Sequence, residues 1–250
     1  MSTAASVPDA QPPLSQGERV INTYIAPSKT FADLRRNASW WVPWLLISVV
    51  SICFMQVVAA KIGWEQVTRN ELQISGRAEK FEQAPPEQQK RGLEISVLIY
   101  KIAGFASPIT ILLAAIIIGA ILMALMNFGA GAEVSFKQAL AIVIYAWLPG
   151  ILSSILGIIS VIVGSANESF KEGFNLRNPV ASNPAYLMDP TKNKFLYGVA
   201  SAADVFVIWS IILMGIGFSS VSKVKKGTAI GMIFGAYLLF KICAAAISAI

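Results

Sequence analysis

The chain has 250 residues, of which 55% are hydrophobic and only 14% are charged, and its mean hydropathy is +0.62. A soluble domain carries about a quarter charged residues, so the composition argues against a water-soluble globule. The formal charge of +6 does not indicate nucleic acid binding, because the basic residues flank hydrophobic segments, where they set topology and contact anionic lipid head groups. The lack of histidine removes histidine-based acid–base catalysis and the commonest metal ligand.

Residues 1–16 are rich in Ser, Ala, Pro and Gln, which predicts a disordered tail without the apolar content to fold alone. Residues 17–40 form a predicted cytoplasmic, juxtamembrane segment. Apolar residues recur there at helical spacing, beginning with Val20 and Ile21, and Pro27 interrupts the pattern. We therefore expect an amphipathic segment that lies on the membrane surface.

The rest of the chain, residues 41–250, predicts an all-α, polytopic membrane bundle of about five transmembrane helices. A span needs about 20 apolar residues to cross the hydrocarbon layer. Trp41 marks the start of the first span and Trp64 follows its end, because tryptophan favours the membrane interface. The predicted spans are residues 41–60, 102–128, 139–163, 203–221 and 228–249.

Two prolines lie inside predicted spans. Pro108 falls in the second span and Pro149 in the third, and each predicts a kink or a break because proline removes a backbone donor and clashes with the preceding turn. The two longest connections, residues 63–92 and 164–202, are polar. Residues 65–83 of the first connection carry the pattern of an amphipathic helix.

Basic residues indicate the orientation, because lysine and arginine near span ends favour the cytoplasmic face. Arg35 and Arg36 precede the first span, and Lys223, Lys225 and Lys226 crowd the tight connection between the last two spans. In a five-span topology all five residues share one face. We therefore expect a cytoplasmic N-terminus and contacts between this basic edge and anionic lipid head groups.

Small residues repeat at four-residue spacing within the spans. Gly227, Gly231 and Gly235 open the fifth span, and Ala120 with Ala124 repeats the pattern on the second, as does Ser153 with Gly157 on the third. Such stripes let another helix approach closely. The partner is either a helix of the same bundle or a second copy of the chain, in which case the stripe is a dimerisation face.

Lys241 lies inside the fifth predicted span, where a charge costs roughly 3 kcal/mol on insertion scales. Lys101, Glu94 and Asp204 fall at a similar predicted depth, so the four residues predict a layer of compensating charges. Lys241 either extends its long stem toward the interface, or pairs with Asp204 or Glu94 as a structural lock, or lines an ion path.

The sequence contains no metal-ligand cluster, no phosphate-binding glycine-rich loop and no paired intramembrane aspartates. A serine–lysine dyad is chemically possible in the spans, but no spacing singles one out. We therefore predict a protein that is not an enzyme and that needs no cofactor.

Three stretches resemble the Yip1 family of five-span membrane proteins in its bacterial form. The stretches are APSKTF at residues 26–31 leading to WWVP at 40–43, SFKQAL at 135–140 running to YAWLP at 145–149, and DVFVIW at 204–209 followed by GIG at 215–217 and KKGTA at 225–229. Together they cover roughly residues 20–239.

The resemblance implies a multi-pass protein of the bacterial inner membrane with a cytoplasmic N-terminus. Eukaryotic members of the family are associated with Rab GTPases and vesicle traffic, but the acidic–aromatic Asp-Leu-Tyr-Gly-Pro element is missing from this sequence, so that role is not carried over. We expect a non-enzymatic protein that binds or organises lipids, copies of itself or other membrane proteins. The alternative is a small transporter or channel subunit with a path near Lys241, Pro108 and Pro149; a polar cavity reaching mid-membrane would favour it, and a solidly packed interior would favour a scaffold.

Overall fold

The computed structural model of the chain describes residues 12–249, and the regular elements in that range are all helical. Most of the predicted disordered tail lies outside the described residues, and Gln16 already belongs to the first helix. The helices are α1 (Gln16–Ile25), α2 (Pro27–Asp33), α3 (Trp41–Lys61), α4 (Trp64–Ile74), α5 (Ala78–Glu82), α6 (Pro86–Ala130), α7 (Phe136–Ala146), α8 (Pro149–Gly164), α9 (Glu168–Gly173), α10 (Lys194–Ala200), α11 (Val205–Val221) and α12 (Lys226–Ala249).

The predicted bundle of about five transmembrane helices is confirmed. Four segments of the described chain are long and apolar enough to cross a bilayer, and α11 with the bent segment before it makes a fifth. That bent pair, Lys194–Ala203 and Val205–Val221, turns by 53°. The four straight candidates are Trp41–Lys61, Pro86–Ala130, Phe136–Gly164 and Lys226–Ser248.

Helix α7 is the buried centre of the bundle. Each residue from Ala139 to Ala146 is at most 5% exposed, and α7 contacts α1, α3, α6 and α11. The helix begins with a capping box, in which the Ser135 hydroxyl accepts a hydrogen bond from the Gln138 N–H and the Gln138 side chain accepts one from the Ser135 N–H. Helix α7 ends at Ala146. Trp147 and Leu148 separate it from α8, which begins at Pro149, so the third span is two helices.

The N-terminal segment packs against the bundle, and its expected position on the membrane surface stays a prediction. The chain does break at Pro27 as the sequence indicates, but α2 lies against α11 and α1 approaches α7. Phe31 is fully buried, and its ring lies 3.1 Å from where a side chain on Gly217 would begin. Only glycine at this point of α11 leaves room for Phe31, and for Ile142 of α7 on the same spot.

A buried ion pair fixes the two N-terminal helices. The Arg19 guanidinium lies 2.7 Å from the Asp33 carboxylate, and both side chains are less than a tenth exposed. Arg19 also donates to the carbonyl oxygen of Asn37, and the Thr30 hydroxyl donates to the carbonyl oxygen of Arg19. The amphipathic pattern seen in the sequence thus includes a polar network that is buried, not solvated.

Helix α6 is far longer than the second predicted span. Its 45 residues extend about 67 Å at 1.5 Å per residue, roughly twice the hydrocarbon thickness. It continues through Pro108, and the Ser107 hydroxyl donates to the Gly104 carbonyl oxygen that proline leaves without its usual donor. The helix ends at Ala130, where Gly131 adopts a left-handed conformation with φ of +64°.

The two long connections fold against each other at one end of the bundle. The Asn70 amide of α4 donates to the carbonyl oxygens of Lys171 and Phe174, at 2.7 and 2.9 Å. The Asn175 amide donates to the Tyr197 hydroxyl of α10. We call these two connections, residues 63–85 and 165–203 with helices α4, α5, α9 and α10, the cap. The predicted helix over residues 65–83 is two helices there, α4 and α5, separated by a turn in which Gly76 has φ of +71°.

The buried ion pair gives a first prediction. Replacing Arg19 with Met leaves the Asp33 carboxylate buried without its partner, so we expect the free energy of unfolding to fall by about 3–5 kcal/mol. Unfolding by SDS titration in mixed micelles measures this.

The matched control is Arg69→Met, which removes the exposed pair with Glu65 and should cost below about 0.5 kcal/mol. The double variant Arg19→Met/Asp33→Leu should recover most of the loss, because no unpaired charge remains. Equal stability of Arg19→Met and Arg69→Met would contradict the assigned role of the pair.

Candidate functional site

A large cavity lies between the cap and the transmembrane helices. It has a volume of about 900 Å³, which is at the upper end of the range of small-molecule sites. Helices α3, α8, α11 and α12 contribute residues to its walls. The cap, which includes α10, forms its mouth. The two connections that the sequence leaves unrelated therefore enclose one site.

The cavity reaches the middle of the bundle. Ser51, which lines it, is the central residue of α3, ten residues from each end. Ser153 and Ser154 of α8 also line it, and no described residue forms a hydrogen bond with any of these three hydroxyls. Their unpaired oxygens face open space at bilayer depth, where a polar group needs a partner. Sequence reasoning missed them as a site because serine is common in membrane helices and their spacing carries no signal.

Apolar side chains complete the deep half of the cavity. Ile47 lies one turn below Ser51 on α3, Ile111 comes from α6, and Ile151 from α8. Trp147, at the break between α7 and α8, lines the same half. This half therefore offers both aliphatic surface and a few hydroxyl groups.

Asp204 organises the cavity wall near the cap. Its carboxylate caps α11 by accepting hydrogen bonds from the N–H groups of Phe206 and Val207, at 2.9 and 3.0 Å. The same carboxylate accepts from the Ser182 hydroxyl and from the Asn183 amide of the cap. Asp204 thus joins the cap to α11, and its oxygens are already engaged.

Lys241 lies beside this network. Its ammonium group donates to the Ser201 hydroxyl at 2.9 Å, and Asp204 is near enough to attract it electrostatically without forming an ion pair. Ser201 is in the turn just before α11. Lys241 therefore sits where the bundle meets the cap, rather than at the bilayer centre.

The predicted layer of four charges is only partly assembled. Lys241 and Asp204 line the same cavity. Glu94 and Lys101 are exposed on α6 and do not line it. The sequence predicts a similar membrane depth for the four residues, but depth alone does not determine which way a helix face points.

Basic and acidic groups surround the mouth. Glu71 of α4 forms an ion pair with Arg177. Arg77 donates from its Nε to the Ser75 hydroxyl at 3.0 Å, and Lys194 donates to the Ser75 carbonyl oxygen at 3.3 Å. All five residues line the cavity. None was singled out in the sequence, since they come from two separate polar connections.

The N-terminal segment contacts the bundle next to a residue that lines the cavity. The Tyr24 hydroxyl donates to the carbonyl oxygen of Leu148 at 2.7 Å, next to the cavity residue Trp147. The Tyr24 ring also contacts the Trp209 ring edge-on, with centroids 5.9 Å apart. Burial raises the pKa of Tyr24 to about 12, so its hydroxyl remains a donor throughout the physiological pH range.

The two prolines have different positions relative to the cavity. Pro149 is buried at the start of α8, and its neighbour Gly150 lines the cavity. Pro108 does not line it, and its carbonyl oxygen accepts a hydrogen bond from the Trp44 indole at 3.0 Å. Of the three residues named for the predicted path, only Lys241 lines the cavity.

The glycine stripe of α12 faces away from the bundle. A side chain added at Gly227, Gly231 or Gly235 would meet nothing within 4 Å. Among the described residues the stripe packs against no other helix, and the dimerisation alternative stays a prediction. Ala120 and Ala124 are partly exposed on α6. On the third span the expected close packing does occur, since Gly157 is buried beneath Phe54 of α3.

The five basic residues that we used to predict the orientation are all exposed at the end of the bundle away from the cap. Arg35 and Arg36 follow α2, which packs on α11, and the three lysines lie in the connection from α11 to α12 or at its end. We call this the basic end, and it comprises Arg35, Arg36, Lys223, Lys225 and Lys226.

Helical spans, a polar cap and an internal cavity define a multi-pass α-helical membrane protein. Within that class, the Yip1 domain family matches residues 21–247, nearly the whole chain, so the protein belongs to the Yip1 domain family. Comparisons with proteins of curated function and with solved structures gave no match. The family match begins inside α1, in agreement with the packing of the N-terminal segment as part of the bundle.

The glycines give a second prediction. Replacing Gly215 with Leu should lower the free energy of unfolding by about 1–3 kcal/mol or more, because its side chain would begin 2.3 Å from Ile230 and 2.9 Å from the Ile230 backbone. Gly231→Leu on the neighbouring helix is the matched control and should not destabilise the monomer. SDS titration measures both, and a comparable loss at Gly231 would show that the stripe packs within the chain after all.

Proposed function

We propose that this protein binds a membrane lipid in the cavity and does not catalyse a reaction. The cavity is the observation that carries the proposal, because its two halves match the two parts of an amphiphile. Charged side chains lie at the mouth, whereas Ile47, Ile111 and Ile151 lie in the deep half. A head group at the mouth and an acyl chain in the deep half would each meet a compatible surface.

The proposal includes an orientation, in which the basic end lies in the cytoplasm and the cap lies outside it. The exposure of Arg35, Arg36 and the lysines of the α11–α12 connection at one end supports this assignment. In a bacterial inner membrane the lipid would then be drawn from the outer leaflet, whose head groups are level with the cavity mouth. The basic end remains free to contact anionic lipids of the inner leaflet.

A transporter is the second candidate, and the depth of the cavity favours it. Ser51 lies at mid-membrane, and the cavity ends at the broken helix pair α7–α8, a feature that transporters use at substrate sites. None of the five residues of the basic end lines the cavity, which favours binding over transport.

Filling the cavity tests the proposal. Ser154→Phe places a ring in the deep half, so we expect the occupancy of co-purified lipid to fall several-fold in native mass spectrometry after purification in mild detergent. Ile155→Phe is the matched control, because Ile155 is exposed on the same helix and does not line the cavity. Wild-type protein without bound lipid, or equal occupancy in both variants, would contradict lipid binding.

A flux assay separates the second candidate. Proteoliposomes of the wild-type protein should show no solute flux above that of empty liposomes. Flux that Ser154→Phe abolishes and Ile155→Phe retains would replace the binding proposal with transport.

A further inference from the structure

The charges at the cavity mouth are unbalanced. Four basic residues line the cavity, namely Arg77, Arg177, Lys194 and Lys241, against the two carboxylates of Glu71 and Asp204. The imbalance is larger than the count suggests, because both carboxylates are already engaged. Glu71 pairs with Arg177, and Asp204 accepts four hydrogen bonds from the α11 N-terminus and the cap.

Three cations consequently lack an ion-pair partner. Among residues 12–249, no carboxylate lies within 4.0 Å of the side-chain nitrogens of Arg77, Lys194 or Lys241. Each is held instead by a neutral oxygen of serine, and Arg77 and Lys194 converge on the same residue, Ser75. Two cations held by one neutral residue repel each other, and an anion between them would offset this repulsion.

Arg77 and Lys194 are exposed side chains, but both also line the cavity. Arg77 and Lys194 come from different connections of the cap, and both face the cavity that continues to the hydroxyls of Ser153 and Ser154. Lys241 stands on the wall between the mouth and the deep half, and it is only partly exposed. A charged group entering from the mouth would therefore meet two cations first and a third as its apolar part went deeper.

We propose that the ligand of this cavity is an anionic amphiphile, whose phosphate or carboxylate head group is held by Arg77, Lys194 and Lys241. This inference rests on the proposed lipid binding and adds the charge of the head group. Arginine supplies a planar fork of donors and lysine a point charge, and both bind phosphate oxygens well. The apolar part of the same molecule occupies the deep half beside Ile111 and Ile151.

A pair of lipids with identical acyl chains tests the charge. Purified protein in detergent is titrated with phosphatidylglycerol, which is anionic, or with phosphatidylcholine, which has no net charge, and bound lipid is measured by native mass spectrometry. We expect the wild-type protein to prefer phosphatidylglycerol by roughly tenfold. Equal affinity for the two lipids would overturn the inference and leave the proposed lipid binding intact, whereas binding of neither lipid would refute both.

Charge-neutralised variants locate the site. Arg77→Gln/Lys194→Gln should remove most of the preference and retain phosphatidylcholine binding, which also reports that the variant is folded. The matched control, Lys90→Gln/Arg91→Gln, removes the same charge from an exposed part of α6 that does not line the cavity, and it should leave the preference unchanged. Loss of the preference in the control would place the anionic lipid outside the cavity and overturn the inference.

Inorganic phosphate distinguishes a lipid head group from a free anion. We expect phosphate at the same concentration to leave bound phosphatidylglycerol in place, because the head group alone forgoes the apolar contacts of the deep half. Displacement of the lipid by phosphate would show that the site binds a free anion, and it would overturn the inference that the ligand is an amphiphile.

Discussion

The structure depends on the burial of residues 139–146 of α7. This short apolar helix contacts α1, α3, α6 and α11, and a helix of this kind can be surrounded on all sides only because its backbone groups are satisfied internally. Close approach to α11 needs Gly217, and the same glycine admits Phe31 from the N-terminal segment. The packing of the N-terminal segment and of α7 against α11 therefore both depend on this one glycine.

The cavity follows from that arrangement. Helix α8, which follows the break after α7, packs against α3 through Gly157 and Phe54, whereas its contacts with α11 are fewer. Space remains between α3, α8 and α11, and the cap covers it from one side. A site that is charged near the cap and apolar within suits a ligand that keeps its head group at the interface.

Several polar residues of the amphipathic N-terminal segment are buried, although the sequence pattern is that of a surface helix. Its pattern is amphipathic, and an amphipathic helix beside a first span is typical of membrane surfaces. Arg19 and Asp33 nevertheless form a buried pair, and the hydroxyls of Thr23 and Thr30 both donate to the Arg19 carbonyl oxygen. The polar face is satisfied by the chain itself, so burial carries no cost of unpaired groups. Ile21 and Ile25 remain exposed on the other side.

The sequence by itself determined the solvent and the secondary structure: apolar stretches of span length require lipid, Pro27 and Pro149 interrupt helices wherever the chain goes, and Gly131 permits the left-handed turn that ends α6. Only the tertiary structure decided which residues meet. Lys194 and Arg77 come from connections more than a hundred residues apart, yet both form hydrogen bonds with Ser75. Glu94 and Lys101 do not line the cavity that contains Lys241. The glycines of α12 face outward. Local sequence specifies helix type and depth through periodicity and hydropathy, but the rotation of each helix and the pairing of distant connections depend on side-chain packing across the whole bundle.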